Sequence, residues 1–340
     1  MTANVALLGY GLAGSVFHAP FIATTPGLRL SVVVTGDDER REQAHREHPG
    51  VSVAATADEV WERAPELDLA VIATPNSSHL PLGLAALEAG LAVVVDKPLA
   101  LNADEGQALV DAAAERELML TAFQNRRWDG DFLTLRRLLT ADELGSVHRF
   151  ESRFERWRPR IGDSWRERIP PEEGGGLLLD LGPHLVDQAL QLFGPVRGLY
   201  AEVDARREGA VADDDVFLAL EHESGVRSQL WASALAADRG PRFRVLGDRA
   251  AFVKHGLDPQ EEALRSGRVP TDPGFGDEPR ERWGRLVVDG EEREVPTEPG
   301  SYSSFYSGVA ASLEGGAPPP VDPRDAVAVL EILDEARSAA

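Results

Sequence analysis

The sequence predicts an α/β fold in two parts: a doubly wound parallel sheet, then an α+β domain with a large, mostly antiparallel open sheet. The chain has 340 residues, more than the roughly 250–300 at which a single core stops growing. Short apolar runs alternate with longer amphipathic ones up to residue 122, as in βαβ units. In the later strands apolar and polar residues alternate, as in a sheet with one solvent-exposed face. We therefore predict one domain over residues 1–122 and a second over 123–340.

The first part contains apolar runs without alternation, which indicates a sheet covered by helices on both faces. Strands are predicted at Asn4–Gly9, Leu28–Thr35, Leu69–Thr74, Leu91–Asp96 and Met119–Ala122. Helices are predicted between them at Gly14–Thr24, Asp38–His48, Ala57–Ala64, Ser78–Ala89 and Ala103–Arg116.

The second part begins with a predicted helix at Phe123–Leu139. Further helices are expected at Leu177–Leu192 and Asp325–Arg337, and residues Asp258–Asp289, rich in glycine, proline and charge, are expected to form a surface excursion. Alternating strands are predicted at Val147–Phe154, Leu199–Arg206, Val216–His222, Val226–Ala232 and Pro241–Leu246.

The composition excludes several classes of protein. The formal net charge of −22 argues against a nucleic-acid or anionic-membrane surface, although a local basic pocket for a phosphate is compatible with it. The chain has no cysteine, which excludes disulfides, thiolate nucleophiles and cysteine-bound zinc. No basic residue precedes Arg29, unlike in a secretory signal, and no apolar run is long enough to span a membrane. We expect a cytoplasmic protein that acts on a small molecule.

A glycine-rich turn follows the first strand and opens the first helix. Its glycines would allow a tight turn, backbone approach to a pyrophosphate and close helix packing, while the helix N-terminus offers free N–H groups. The motif in this βαβ context predicts a Rossmann domain that binds a dinucleotide. The residues concerned are Gly9, Tyr10, Gly11, Leu12, Ala13 and Gly14.

The second strand ends in Thr35-Gly36, where an acidic residue would bind the adenosine ribose of NAD. A small hydroxyl residue followed by Arg40 and Arg41 suits the 2′-phosphate of NADP. Alternatively, Asp37 or Asp38 reaches the ribose and the arginines form a solvated helix face. We favour NADP over NAD.

The stretch Thr74-Pro75-Asn76-Ser77-Ser78-His79 ends the third predicted strand, at the sheet edge where open α/β folds bind ligands. A purely structural turn explains Pro75 and Asn76 equally well. Their place at the carboxyl end of the strand favours contact with the cofactor.

Lys97 is the first catalytic candidate. The chain has 33 arginines and two lysines, Lys97 and Lys254. Arginine stays charged, whereas a lysine can share its proton, so Lys97 at the end of an apolar strand indicates a titratable amine with a function. The alternative is a chance surface lysine, the role expected for Lys254.

Asp180 and His184 are four residues apart and would share one helix face. A carboxylate beside an imidazole orients it and raises its basicity, as a general base for an alcohol requires. A helix-surface pair is the alternative, but the helix is apolar, and Gly174-Gly175-Gly176 before it would let a backbone or a ligand approach closely. No second histidine has ligand spacing to His184, which disfavours a metal site.

Together these motifs resemble the glucose–fructose oxidoreductase / inositol dehydrogenase (Gfo/Idh/MocA) family, and most closely its NADP-preferring scyllo-inositol dehydrogenase-like branch. The resemblance covers nearly the whole chain, and the Glu-Lys-Pro common in the family reads Asp96-Lys97-Pro98 here. It is carried by Gly9–Gly14 with Phe17-His18-Ala19-Pro20, by Asp96-Lys97-Pro98, by Phe123-Gln124-Asn125-Arg126-Arg127-Trp128 and by the Asp180/His184 helix.

The resemblance implies roles for several residues. Lys97 and His184 become the polar catalytic pair at the substrate hydroxyl, with Asp180 in support. Cofactor contacts are implied for Thr74, Asn76, His79, Asp96 and Lys97, and substrate contacts for Arg126, Trp165 and Tyr302.

The sequence thus predicts an NADP-dependent dehydrogenase that acts on a secondary hydroxyl of a polyol or sugar. The alternatives are a redox glycosidase with tightly held NAD and a cofactor-sensing regulator on the same fold. A homodimer or homotetramer is expected through the open sheet, whose second face would carry Phe217, Leu230 or their neighbours.

Overall fold

The computed structural model describes residues 2–162 and 164–339. The chain forms two compact units, each built from separate stretches of sequence. The first unit comprises Met1–Asn125, Gln260–Phe275 and Ser301–Val327, and the second comprises Arg126–Pro259, Gly276–Gly300 and Ala328–Ala340. The assignment of cofactor binding to residues 1–122 and of substrate binding and oligomerisation to residues 123–340 stays a prediction.

Helices and strands alternate along the first third of the chain, and strands dominate the middle. The strands are β1 Ala3–Leu8, β2 Leu28–Val34, β3 Ser52–Ala54, β4 Leu69–Ile72, β5 Ala92–Val95, β6 Leu120–Ala122, β7 Val147–Glu155, β8 Val196–Asp204, β9 Asp215–His222, β10 Arg227–Ser233, β11 Phe243–Gly247, β12 Ala251–Lys254, β13 Gly284–Val288 and β14 Glu291–Val295. The α-helices are α1 Ala19–Thr24, α2 Asp38–Glu47, α3 Asp58–Trp61, α4 His79–Glu88, α5 Ala103–Glu115, α6 Gly130–Thr140, α7 Trp165–Arg168, α8 Leu177–Phe193, α9 Gln260–Arg265, α10 Ser303–Leu313 and α11 Pro323–Ala339.

The sheet of the first unit has, within the described residues, six strands in the order β3-β2-β1-β4-β5-β6. All its pairings are parallel. Strands β4 and β5 are buried along their whole length, which confirms a doubly wound parallel sheet covered on both faces. The carboxyl ends of β1, β2, β4 and β5 therefore lie along one edge, where the glycine turn and the Asp96-Lys97-Pro98 turn begin.

Two predicted helices of this region are broken. The stretch predicted as Gly14–Thr24 consists of a π-helical turn, Ala13–His18, followed by α1. Pro20 has no N–H to continue an α-helical ladder, which favours the change of pitch. The helix predicted from Phe123 begins only at Gly130, whose N–H donates to Asp258. A 3₁₀ turn, Asn125–Trp128, precedes it.

The sheet of the second unit has, in the part of the chain that the structure describes, eight strands in the order β14-β13-β12-β11-β7-β10-β9-β8. Its pairings are antiparallel except for β10 with β7, which confirms the predicted mostly antiparallel sheet. The prediction of a surface excursion at Asp258–Asp289 was wrong in part, because β13 lies in it and pairs with β12. Asp289 and Gly290 form the β13–β14 turn with φ of +51° and +85°, the backbone that an Asp-Gly hairpin requires.

Two further expectations about the second unit need correction. Lys254 is not a surface lysine: its side chain is 1% exposed, and its Nζ donates to Glu278 at 2.9 Å. Of the two residues named for the second face of the sheet, Phe217 is partly exposed, whereas Leu230 belongs to the core. Phe217 pairs instead with Trp231, the next outward residue of β10.

Candidate active site

The glycine turn after β1 has no room for side chains at two of its glycines. Gly9 has φ +95°, and a Cβ there would lie 2.5 Å from the carbonyl oxygen of Ala73. A Cβ on Gly14 would lie 1.9 Å from the carbonyl oxygen of Gly9. The turn can therefore form only with glycine at both positions, and this cradle fits the pyrophosphate of a dinucleotide.

The residues between these glycines differ in exposure. Leu12 is 48% exposed and begins the π-helical turn with no side-chain hydrogen bond to its N–H groups. Tyr10 is buried, and its hydroxyl donates to Glu47 at 2.8 Å. Burial, followed by the interaction with Glu47, raises the pKa of Tyr10 well above its ordinary value. Only the backbone of Tyr10 thus faces the turn, because its side chain is directed to Glu47 of α2.

At the tip of β2, Thr35 is buried and its hydroxyl accepts from the N–H of Asp37 at 3.3 Å. Asp37 caps α2 by accepting from the N–H of Arg40 at 3.0 Å. The Arg40 side chain is 52% exposed. Its Nη1 lies 3.8 Å from the position of a Cβ on Gly11. A half-exposed guanidinium therefore lies beside the glycine turn.

The turn after β4 is held to the turn after β5 by His79. Its ring is buried, with Nδ1 2.8 Å from the carbonyl oxygen of Pro98 and Nε2 3.0 Å from that of Thr74. Thr74 Oγ1 accepts from Ser78 at 2.6 Å, and Asn76 is 3% exposed. Pro75 is exposed at the same turn. His79 therefore holds the two turns together, and the contacts of Thr74, Pro75, Asn76 and His79 with the cofactor stay a prediction.

Asp96 anchors a buried polar chain next to Lys97. Asp96 Oδ1 accepts from the backbone N–H of Lys97 at 2.8 Å and lies 3.7 Å from His18 Nε2. His18 Nδ1 lies 2.5 Å from the hydroxyl of Tyr306. The imidazole of His18 thus lies between the carboxylate of Asp96 and the hydroxyl of Tyr306. The chain thus links the lysine turn to the buried interior of the unit.

The charged and polar groups around Asp96 favour its ionised form. Burial alone would raise the pKa of Asp96, but its interactions with His18, then with Lys97 and His79, lower it below the ordinary value. Burial, and then the charge of Asp96, raise the pKa of Tyr306 well above its ordinary range. Lys97 is partly exposed and precedes a cis peptide bond to Pro98. His18 was not predicted as a functional residue, although a histidine among the apolar residues at the start of a helix was a signal in the sequence.

In the second unit, the glycine run before α8 accommodates other parts of the unit. A Cβ on Gly175 would lie 2.0 Å from the carbonyl oxygen of Ile169, and one on Gly176 would lie 2.0 Å from Asp213 Oδ1. Asp213 closes the helix N-terminus, because its Oδ2 accepts from the N–H of Leu178 at 2.6 Å and its carbonyl accepts from that of Leu177. Asp213 was not predicted from the sequence.

Asp180 and His184 lie on α8, as predicted. The Asp180 side chain is 21% exposed, with Oδ1 3.2 Å from Nε of Arg166. His184 is 4% exposed, and its ring centre is 6.1 Å from that of Phe154. The carboxylate is thus held by an arginine of α7, and the imidazole packs against an aromatic ring.

The three residues with implied substrate contacts lie in different surroundings. Arg126 is 7% exposed, pairs with Asp129 at 3.2 Å and lies over the ring of Phe154. Trp165 is partly exposed at the start of α7. Tyr302, in the first unit, is 1% exposed and packs against Phe21. Their contacts with substrate stay predictions.

Comparison with protein-family models gives two matches. Residues 3–124 match the Oxidoreductase family, NAD-binding Rossmann fold, and residues 136–340 match the Oxidoreductase family, C-terminal alpha/beta domain. The chain belongs to the Gfo/Idh/MocA oxidoreductase family. It is therefore an enzyme, an oxidoreductase that uses a nicotinamide dinucleotide, and the glycine cradle lies in the family's NAD-binding domain.

Relatives of this family match along nearly the whole chain. The uncharacterised oxidoreductase YdgJ of Escherichia coli is 40% identical over 97% of this chain and 94% of its own. The scyllo-inositol 2-dehydrogenase (NADP(+)) IolW of Bacillus subtilis is 35% identical over 98% and 93%. The solved structure of YvaA from Bacillus subtilis has a TM-score of 0.93 at 34% identity, and the match covers 99% of this chain and 96% of that one.

The described residues contain no helix long and apolar enough to cross a membrane. The same residues contain no group of three or more histidine, aspartate or glutamate side chains that could hold a metal ion.

Proposed function

We propose that this enzyme is an NADP-dependent dehydrogenase that acts on a secondary hydroxyl of a polyol, inositol-like, or of a sugar. The observation that carries the cofactor choice is the half-exposed Arg40 beside the glycine turn, at a strand tip that ends in Thr35 and lacks an acid. Asp37 accepts from the backbone N–H of Arg40, and its second carboxylate oxygen lies 4.0 Å from Arg40 Nε, so the 2′-phosphate would bind a guanidinium that Asp37 holds in place. The relative IolW, by name an NADP-dependent inositol dehydrogenase, supports both cofactor and substrate class.

The roles of the residues follow from their chemistry. The nicotinamide, when bound, supplies or accepts the hydride. The glycine turn Gly9–Gly14 holds the pyrophosphate, and Thr74, Pro75, Asn76 and Asp96 line the cofactor. His184 takes the proton of the substrate hydroxyl with the assistance of the Lys97 ammonium, which also stabilises the developing charge on that oxygen. Asp180 supports this pair, and Arg126, Trp165 and Tyr302 contact substrate.

His18 acts as a positioning residue in this scheme. It contacts no reacting atom; it holds Asp96, whose carboxylate accepts from the N–H of Lys97. Tyr306 in turn holds the imidazole. The orientation of Lys97 thus depends on a buried chain that begins at the first helix of the fold.

The two alternatives are a redox glycosidase with tightly held NAD and a cofactor-sensing regulator. A redox glycosidase would keep its NAD through purification and would not release reduced cofactor. A regulator would bind cofactor and show no turnover. The retained Lys97, Asp180 and His184 disfavour the regulator, and free turnover of the cofactor would exclude the redox glycosidase.

We also propose a cytoplasmic location and a homodimer or homotetramer formed through the open sheet of the second unit. Its outer face carries a row of large side chains across four strands: Tyr200, Phe217, Trp231 and Arg153. Tyr200 is 58% exposed, and the Arg153 guanidinium stacks on Trp231 at 3.9 Å. Aromatic and arginine side chains of this kind are enriched in interfaces. Sedimentation equilibrium tests the assembly, and a species at the 36.8 kDa chain mass would contradict it.

The experiment that tests the activity is a screen of inositols, other polyols and sugars with NADP and with NAD, followed at the nicotinamide absorbance. We expect turnover of an inositol or sugar with NADP preferred. Cofactor binding without turnover of any substrate would favour the regulator, and preference for NAD would overturn the role of Arg40.

A further inference from the structure

One short segment of the second unit reverses the charge of the chain. Residues 153–168 carry six arginines and three acidic residues, although the chain as a whole has 57 acidic and 35 basic residues. Arg158 and Arg160 are exposed, so the positive charge faces solvent. A local basic surface on an acidic protein concentrates anionic ligands.

The segment is held in place by Arg207, which comes from outside it. The Arg207 side chain is 4% exposed and pairs at 2.8 Å with Asp214, which is itself buried. Arg207 Nη1 donates to the carbonyl oxygens of Arg158 and Arg160, at 3.2 and 3.4 Å, and to Glu167 at 2.9 Å. A buried arginine thus sets the backbone from which the two exposed arginines project.

The two arginines line a cleft of about 470 Å³, whose walls are Arg158, Pro159, Arg160, Gly162, Ser164 and Glu167. Glu167, an acid of the cleft wall, is hydrogen-bonded: one oxygen accepts from Arg207 and the other from the N–H of Gly162. Within residues 2–162 and 164–339, neither Arg158 nor Arg160 has a carboxylate within 4.0 Å of its guanidinium. In this described part of the chain, both guanidinium groups therefore line the cleft without an ion-pair partner.

The cleft borders the helix that carries the proposed catalytic residues. Arg166, next to Glu167 in the chain, has its Nε 3.2 Å from Asp180 Oδ1. Its carbonyl accepts from the N–H of Gly176 at 2.9 Å, immediately before α8. Arg166 thus connects the cleft to Asp180, which lies one helical turn before His184 on α8.

We propose that the Arg158/Arg160 cleft binds an oxyanion group of the substrate, a phosphate ester or a carboxylate on the polyol or sugar. This inference rests on the proposed dehydrogenase function and narrows its substrate class. Two forked guanidinium groups match the geometry of a phosphate or carboxylate, whereas a neutral polyol needs no cation. The reacting hydroxyl is a different group of the same molecule, so the cleft determines specificity and takes no part in proton transfer.

The test compares neutral and anionic members of matched pairs in the holoenzyme with NADP. The pairs are glucose with glucose 6-phosphate, glucose with glucuronate, and myo-inositol with myo-inositol 1-phosphate. We expect a kcat/KM at least about 10-fold higher for an anionic member, and the phosphate and carboxylate arms identify the group. Arg158→Gln/Arg160→Gln should raise the KM of that member by about 10- to 100-fold, as expected for lost hydrogen bonds to a charged group, and leave the neutral member unchanged.

The matched control is Arg136→Gln, an exposed arginine of α6 outside the segment, which should leave every KM unchanged. Unchanged NADPH affinity in the double variant shows that it is folded. If neutral members turn over as well as anionic ones and the double variant behaves like wild type, the cleft proposal is overturned while the dehydrogenase stands.

If no member turns over, the proposed function fails, and binding decides the cleft separately. Calorimetric titration of the holoenzyme with glucose 6-phosphate, glucuronate and inorganic phosphate should then show binding that the double variant loses. No binding to wild type would overturn the cleft proposal as well.

Discussion

Each of the two compact units contains a glycine-rich stretch before a helix and one of the two lysines. In both comparisons the same sequence feature has a different surrounding in the first unit than in the second. After β1 the helix N-terminus carries no side-chain cap, and the glycines leave an open cradle. Before α8 the acid Asp213 closes the N-terminus, and Gly176 makes room for that acid. Lys97 is partly exposed at a sheet edge, whereas Lys254 is buried in an ion pair. A glycine run or a rare lysine therefore indicates a special environment, and the neighbours decide whether it serves ligand or fold.

The strongest test sets the two lysines against each other. Lys97→Arg keeps the charge but cannot readily exchange a proton, so we expect kcat to fall by about 10²–10⁴-fold with NADPH binding kept. Lys254→Met removes one partner of a buried pair and should lower the free energy of unfolding by about 3–5 kcal/mol. The kcat per folded molecule should stay near that of wild type. Steady-state kinetics and urea unfolding measure both, and a Lys97→Arg kcat within about three-fold of wild type would make Lys97 a bystander.

The second test sets the two glycine runs against each other. Gly14→Ala places a Cβ against the carbonyl oxygen of Gly9, so the cradle cannot close, and we expect NADPH affinity to fall by about 100-fold or more, about 3 kcal/mol. Gly176→Ala meets Asp213 instead and should lower the free energy of unfolding while NADPH affinity is kept. Fluorescence titration and urea unfolding of both variants serve as mutual controls. Equal loss of NADPH affinity in the two variants would contradict the assignment of one glycine run to cofactor binding and of the other to folding.

The third test uses pH to examine Asp213, the acid that caps α8 and has no counterpart at the glycine turn after β1. Burial raises the pKa of Asp213 to about 6, although hydrogen bonds from the backbone of Leu178 and others oppose it. The folded protein therefore holds this proton more tightly than the unfolded chain. The stability that this provides is complete below pH 3.8 and is lost as the pH rises through about 6, a change of about 3 kcal/mol.

Asp213→Asn keeps an oxygen for the N–H of Leu178 but cannot ionise. Relative to wild type, the variant should therefore gain stability between pH 4.5 and 7.5, as measured by urea unfolding across that range. Asp238→Asn, at an exposed acid of the same unit, is the control and should show no such trend. A constant difference between Asp213→Asn and wild type would show that Asp213 stays ionised throughout.

The smallest effect concerns the edge of the open cradle. Arg40→Gln should weaken NADPH binding by about 10-fold and leave NADH binding unchanged, because a half-exposed contact to a 2′-phosphate gives about 1.4 kcal/mol. Arg46→Gln, at an exposed arginine of the same helix, should change neither affinity. Fluorescence titration with both reduced cofactors measures this. Tighter binding of NADH than NADPH by wild type would reverse the cofactor assignment.

Local patterns predicted the fold class and the cofactor cradle well. The continuous apolar strands and the Gly9–Gly14 spacing depend only on neighbours in the chain, and both are present in the structure. The Asp289-Gly290 turn was an equally local signal, and it was missed because the charged residues around it resembled a loop. Strand β3, with three residues, is too short for any periodicity to appear.

What the sequence by itself determined is the class of each sheet, the glycine spacing of the cradle and the candidates Lys97, Asp180 and His184. Only the tertiary structure brought together groups distant in the chain: His18 with Asp96 and Tyr306, Asp213 with the start of α8, and Arg207 with the Arg158/Arg160 cleft. It also decided that one lysine is buried and the other is not. The physical reason is that composition and spacing report a residue's own propensities. The burial of a charge and the partner that compensates it depend instead on which strands pair, and those contacts cross tens to hundreds of residues.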